Sequence, residues 1–184
     1  MCISQSLLYS IVGGLLSGAF ALLAAWIGIR AILKQEADRR NYERQAQQSA
    51  LANALAADIK ALWDRYLLVM GNTLDATPEG KFDTCAVLLT ESYFAVFDSN
   101  ADKVGLLDEE AAAAVVQAYQ HAKGFVDSIR TWNGILECYT SQPPQKTQHE
   151  ALEYWDGLRE EHKRLKEMKE DVLTRLAKYA RRVS

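Results

Sequence analysis

Residues 155–179 read WDGLREEHKRLKEMKEDVLTRLAKY, and the spacing of their apolar members decides the fold class. Trp155, Leu158, His162, Leu165, Lys169, Val172, Leu176 and Tyr179 recur at alternating steps of three and four, which gathers them on one stripe of an α-helix. A heptad stripe is covered either by a partner helix in a coiled coil or by neighbours in a bundle. The breaks elsewhere in this chain are short, and short loops imply antiparallel neighbours from the same chain. The expectation is therefore an all-α bundle with a coiled-coil-like C-terminal helix.

The same reading extends toward the N-terminus. "SQPPQ" at 141–145 stops the preceding helix, and Thr147 with Glu150 spells a T-x-x-E capping box for a last helix over 146–182. "EEAAAAVVQAYQHAKGFVDSI" opens a helix over 108–140 for which Asp108 is the N-cap candidate. "CAVLLTESYFAVF" predicts a helix over 82–98, capped by Asp83 or Thr84, and "GNTLDATPEGK" breaks the chain before it. From Arg30 to Met70 there is neither Gly nor Pro, so one helix is predicted across that range. Its first part, "KQEADRRNYERQAQQS", is polar all round and reads as a stalk; Leu51, Leu55, Ile59, Leu62, Tyr66 and Val69 then form an apolar face.

Residues 7–29 contain no charge. As a helix they extend roughly 35 Å, enough to cross a ~30 Å hydrocarbon layer with some tilt. Arg30, Lys34, Arg39, Arg40 and Arg44 follow this stretch, and no Lys or Arg precedes it. That asymmetry predicts an inner-membrane single-pass protein with its N-terminus outside and its body in the cytoplasm. The expected organisation is an anchor over 1–33, a polar helical stalk over 34–50 and a cytoplasmic bundle over 51–184. Small residues stripe the span, with Gly13, Ser17, Ala21 and Ala25 on one line and Ser10, Gly14 and Gly18 beside it. In lipid such stripes let helices approach closely, so the span is expected to self-associate.

"DSNADKVGLLDE" at 98–109 has the oxygen spacing of a calcium loop, but its sixth position is Lys103 where a glycine turn is needed. The reading preferred from sequence is a short turn started by Asn100 and closed by Gly105 in the left-handed conformation, followed by the Asp108 cap. His121, His149 and His162 lie on separate stretches, and no base converges with a nucleophile. Neither a catalytic, a cofactor-binding nor a metal site is predicted, and the chain is read as a non-enzyme. The aromatics Tyr93, Phe94, Phe97, Tyr119, Phe125 and Trp132 are spaced for helix faces; they read as core, with a ligand groove between the second and third helices as the alternative.

The run "YFAVFDSNADKVGLLDEEAAAAVVQAYQHAKGFVDSI", between an N-terminal span and a charged C-terminal helix, resembles a loose group of uncharacterised bacterial membrane-anchored helical proteins. The resemblance implies that architecture and a bacterial source, and no activity.

Charge is segregated. Residues 51–158 carry seven basic and sixteen acidic groups, whereas 159–184 carry nine and five. An acidic bundle repels phosphates, so nucleic acid is not an expected partner. Two functions compete: a membrane-tethered scaffold or adaptor that self-associates and binds protein partners, and a membrane effector of a bacterial stress or phage-defence system whose Gly-rich spans perturb the bilayer.

Overall fold

The computed structural model describes the backbone of residues 4–84, 86–89, 93–141 and 144–180, with side chains over 25–84, 86–89, 93–141 and 148–179. Among the described residues the protein is all-helical. Helix α1 is Ser4–Tyr66, followed by a π-helical turn, Leu67–Gly71, and a short α2, Asn72–Ala76. Helix α3, Ala95–Asn100, passes into a 3-10 segment, Ala101–Leu106; α4 is Glu109–Ser141 and α5 is Pro144–Ala180. The chain divides into two compact units, Met1–Arg44 and Gln45–Ser184.

The first unit is a single stretch of α1. Its surface from Glu36 onward carries helix-spaced pairs, with Glu36 held to Arg39 at 3.1 Å and to Arg40 at 3.2 Å. These exposed pairs support a lone helix by a few tenths of a kcal/mol each, about 0.2–0.5 by analogy with peptides.

The second unit packs the C-terminal part of α1 with α4 and α5 around two apolar clusters. Leu51, Ala52 and Leu55 of α1 meet Ala111, Val115 and Tyr119 of early α4, and Val172, Leu176 and Tyr179 of late α5. Met70 and Leu74 meet Phe125, Ile129, Trp132 and Leu136 of later α4, and Ala151, Trp155 and Leu158 of early α5. The pairing order makes α4 and α5 antiparallel and sets α1 parallel to α4. Parallel neighbours need a return connection, and residues 67–108 supply it. The stripe from Trp155 to Tyr179 faces these same-chain helices, with Trp155, Leu158, Val172, Leu176 and Tyr179 all buried.

The return connection departs from the helix expected over 82–98: residues 82–84, 86–89, 93 and 94 are not helical, and α3 begins at Ala95. The cause is a side chain from α4. The Asn133 carboxamide accepts the Val87 N–H at 3.0 Å and donates to the Val87 carbonyl at 2.8 Å. It satisfies both backbone groups of this non-helical residue, while Val87 is buried in the second cluster. A helix would give Val87 the same bonds locally and lose that burial. Earlier in the connection, Gly80 takes the left-handed conformation (φ 72°), closing a turn in which the Lys81 N–H reaches the Pro78 carbonyl at 3.2 Å. Arg159 donates to the carbonyls of Thr77 and Pro78, which ties the turn to α5.

Two local expectations also change. Gly105 is not left-handed: among the described residues only Gly80 has a positive φ, and the 3-10 segment runs through Gly105 to Leu106. Helix α5 starts at Pro144, three residues before Thr147, so Thr147 is not its N-cap. Proline at a first helical position has no N–H to leave unpaired, which favours that earlier start. The Thr147 side chain lies outside the described residues, and Glu150 is exposed.

Candidate functional site

At the start of α4 the Asp108 side chain accepts the Ala111 N–H at 2.8 Å. Its other carboxylate oxygen accepts the Tyr179 hydroxyl at 2.7 Å, and the same hydroxyl accepts the Asp108 N–H at 2.7 Å. A phenol from the end of α5 thus closes the cap. The neighbouring groups of the 98–109 stretch turn away from any common centre. Asp98 pairs with Lys123 at 2.7 Å, and Asn100 donates to the Val96 carbonyl at 2.8 Å while accepting from Lys103 at 3.2 Å. Among the described residues no three His, Cys, Asp or Glu side chains are grouped to hold a metal ion.

A second polar chain joins α1, α2 and α5. Tyr66 lies 2.6 Å from His162 Nδ1, and His162 Nε2 lies 3.2 Å from Asp75. His162 is 3% exposed, and its ring stacks on Trp63 with centroids 5.8 Å apart. A neutral ring fits best, with Nδ1 accepting from the phenol and Nε2–H facing the carboxylate. The Asp75 contact lacks hydrogen-bond alignment and acts as an electrostatic one. Burial holds the imidazole pKa below its ordinary value, with Asp75 opposing that shift. Burial also raises the Tyr66 phenol, reinforced by Asp75 and Glu161. Tyr119 behaves alike: burial and its 2.7 Å hydrogen bond to Asp58 keep it protonated.

Between these polar chains lies an apolar cavity of about 130 Å³. Its walls come from α1, the π-turn, Val87, Leu89, Tyr93 and Phe94, α4 and α5, and include Trp63, Tyr66, Tyr119 and Phe125. Beside the lining residue Met70, Gly71 leaves no room for a side chain: a Cβ there would sit 2.7 Å from Leu67 Cδ2 and 3.1 Å from the Tyr66 ring. Arg65 and Lys169 also line it, and no carboxylate among the described residues does. The groove suggested by the aromatic spacing is therefore formed chiefly by α1, α4 and α5, with a non-helical strap where a second helix was expected.

The sequence places Tyr66 on the apolar face of α1 and His162 on the stripe from Trp155 to Tyr179 as a packed imidazole, one of two polar members with Lys169; their pairing with each other and with Asp75 is not legible in it. Asn133 carries no mark in the sequence.

In the first unit, Trp26, Ile27, Ile29, Ile32 and Leu33 are 52–66% exposed. At 100° per residue they are spread over about 220° of the helix circumference. The Arg30 guanidinium covers the Trp26 ring at 3.7 Å. Among the described residues no helix is long and apolar enough to cross a membrane. The side chains of Ser10, Gly13, Gly14, Ser17, Gly18 and Ala21 lie outside the described residues; Ala25 is exposed. Comparison with family models, curated proteins and solved structures finds no match.

Proposed function

We propose that the protein is a single-pass, membrane-tethered helical scaffold that self-associates through its span and presents its bundle to protein partners on the cytoplasmic side. The observation that carries this reading is the exposure of Trp26, Ile27, Ile29, Ile32 and Leu33 over more than half of the helix circumference. Large apolar side chains exposed over that much of a helix are covered by lipid or by protein. The uncharged residues 7–29 supply the length for a span, and the five basic residues from Arg30 to Arg44 favour a cytoplasmic body. The Arg30–Trp26 contact suits a headgroup-level boundary, where both side chains keep an apolar body and a polar tip.

Self-association rests on the small-residue stripe. Replacing Gly14 and Gly18 with Ile blocks close backbone approach, so cross-linked oligomers in a bilayer decrease while the helical content of the bundle is unchanged. Oligomers that persist in the double variant assign assembly to the bundle and remove the span from this account. A second reading, a membrane effector whose bundle senses a small molecule, is favoured by the apolar cavity of about 130 Å³. Its distinguishing outcome is bilayer leakage on overexpression that disappears in the same double variant.

A further inference from the structure

The cavity is about the size that accepts one aromatic ring, since an apolar cavity of about 150 Å³ is known to hold benzene. That volume is far below what a membrane lipid chain needs. Its walls are unusually rich in rings, which favours a flat, polarisable guest able to stack or meet a ring edge-on. The interior offers little hydrogen bonding. The Tyr66 hydroxyl is committed to His162 and the Tyr119 hydroxyl to Asp58.

Among the described residues charge enters from one sign only: Arg65 and Lys169 line the cavity, and neither Asp nor Glu does. Lys169 is partly neutralised by Glu170 at 2.8 Å. Arg65 is exposed, lies 5.4 Å from the Tyr93 ring and makes no ion pair among the described residues. The ring faces that could attract a cationic guest already carry the chain's own cations, with Lys169 5.0 Å from the Trp63 ring and Lys123 5.5 Å from the Phe94 ring. A guanidinium beside an apolar pocket selects a carboxylate, which it can hold by two parallel hydrogen bonds.

We propose that this cavity binds a one-ring aromatic carboxylate, with the ring among Trp63, Tyr66, Phe94, Tyr119 and Phe125 and the anion at Arg65. The site belongs wholly to the Gln45–Ser184 unit, so it stands whether or not the chain is a membrane scaffold. Benzoate is the probe, benzamide its neutral isostere and hexanoate its non-aromatic counterpart. Binding is read by saturation-transfer NMR on the full chain in phosphatidylcholine nanodiscs, with empty nanodiscs subtracted. Benzoate binds about tenfold more tightly than benzamide, the gain of a charge-assisted contact, and more tightly than hexanoate. Arg65→Gln removes the preference for benzoate over benzamide and leaves ring binding. Ala122→Phe, which fills the cavity from α4, abolishes binding of both. Equal binding of benzoate and benzamide, a preference unchanged in Arg65→Gln, tighter binding of hexanoate, or no benzoate binding would each overturn the proposal. If Ala122→Phe proves unfolded by circular dichroism, Arg65→Gln alone decides.

Discussion

Tyr179 and Asp108 are 71 residues apart in sequence and share three hydrogen bonds with the first turn of α4, so removing either should expose how strongly the two ends of the α4–α5 hairpin are coupled. Asp108→Ala removes the cap bond to Ala111, about 0.5–2 kcal/mol, and the charge-assisted bond from Tyr179. Asp108 is exposed, so the second contribution belongs at the low end, and roughly 2 kcal/mol in total is expected. Tyr179→Phe leaves the Asp108 N–H and carboxylate without the phenol, for about 1–2 kcal/mol. The two changes remove the same bond, so the double variant should lose roughly 1 kcal/mol less than the sum. Thermal unfolding of the full chain in phosphatidylcholine nanodiscs, followed by the fluorescence of buried Trp132 and Trp155, is the assay. Two kcal/mol corresponds to a fall in Tm of about 4–8 °C for a chain of this size. Additive losses, or an Asp108→Ala shift within error of zero, would refute the reciprocal cap.

Asn133→Ala leaves both backbone groups of Val87 without protein partners, so it should lower stability by about 1–3 kcal/mol. Faster amide exchange should be confined to residues 81–89 and their packing partners; global loss without that local signature contradicts the strap account. For His162, the depressed pKa means that the unfolded chain takes up the proton first. Stability is therefore full above about pH 6.5 and falls as pH drops through the folded pKa, and His162→Gln should flatten the slope of Tm against pH in that window. An unchanged slope would contradict a buried imidazole whose pKa is depressed.

Helix identity was legible wherever periodicity was strong. The 155–179 stripe, the apolar face from Leu51 to Leu62 and the Glu109 start of α4 appear where a 3.6-residue repeat places them, because burying one face is what makes those segments helical. Residues 82–84, 86–89, 93 and 94 failed the same test. Their composition fits either state, and the choice is made by Asn133, a contact 46 residues away that local sequence does not display. The parallel setting of α1 and α4 follows from that connection, so it was equally hidden. The candidate site was legible only as parts. Its rings were visible as aromatic spacing, but the cavity exists because α1 turns through Leu67–Gly71 beside α4 and α5, and its cationic rim comes from helices far apart in sequence.

The most direct test of the central claim is extraction of the full chain from bacterial membranes at alkaline carbonate pH, with a reporter fused after Ser184. The account predicts that the protein stays in the membrane pellet and that the reporter is active in the cytoplasm. Replacing Ile27 and Ile29 with Glu should then release it. Release of the unaltered chain into the carbonate supernatant, or a reporter active only outside the inner membrane, would contradict a membrane tether with a cytoplasmic bundle.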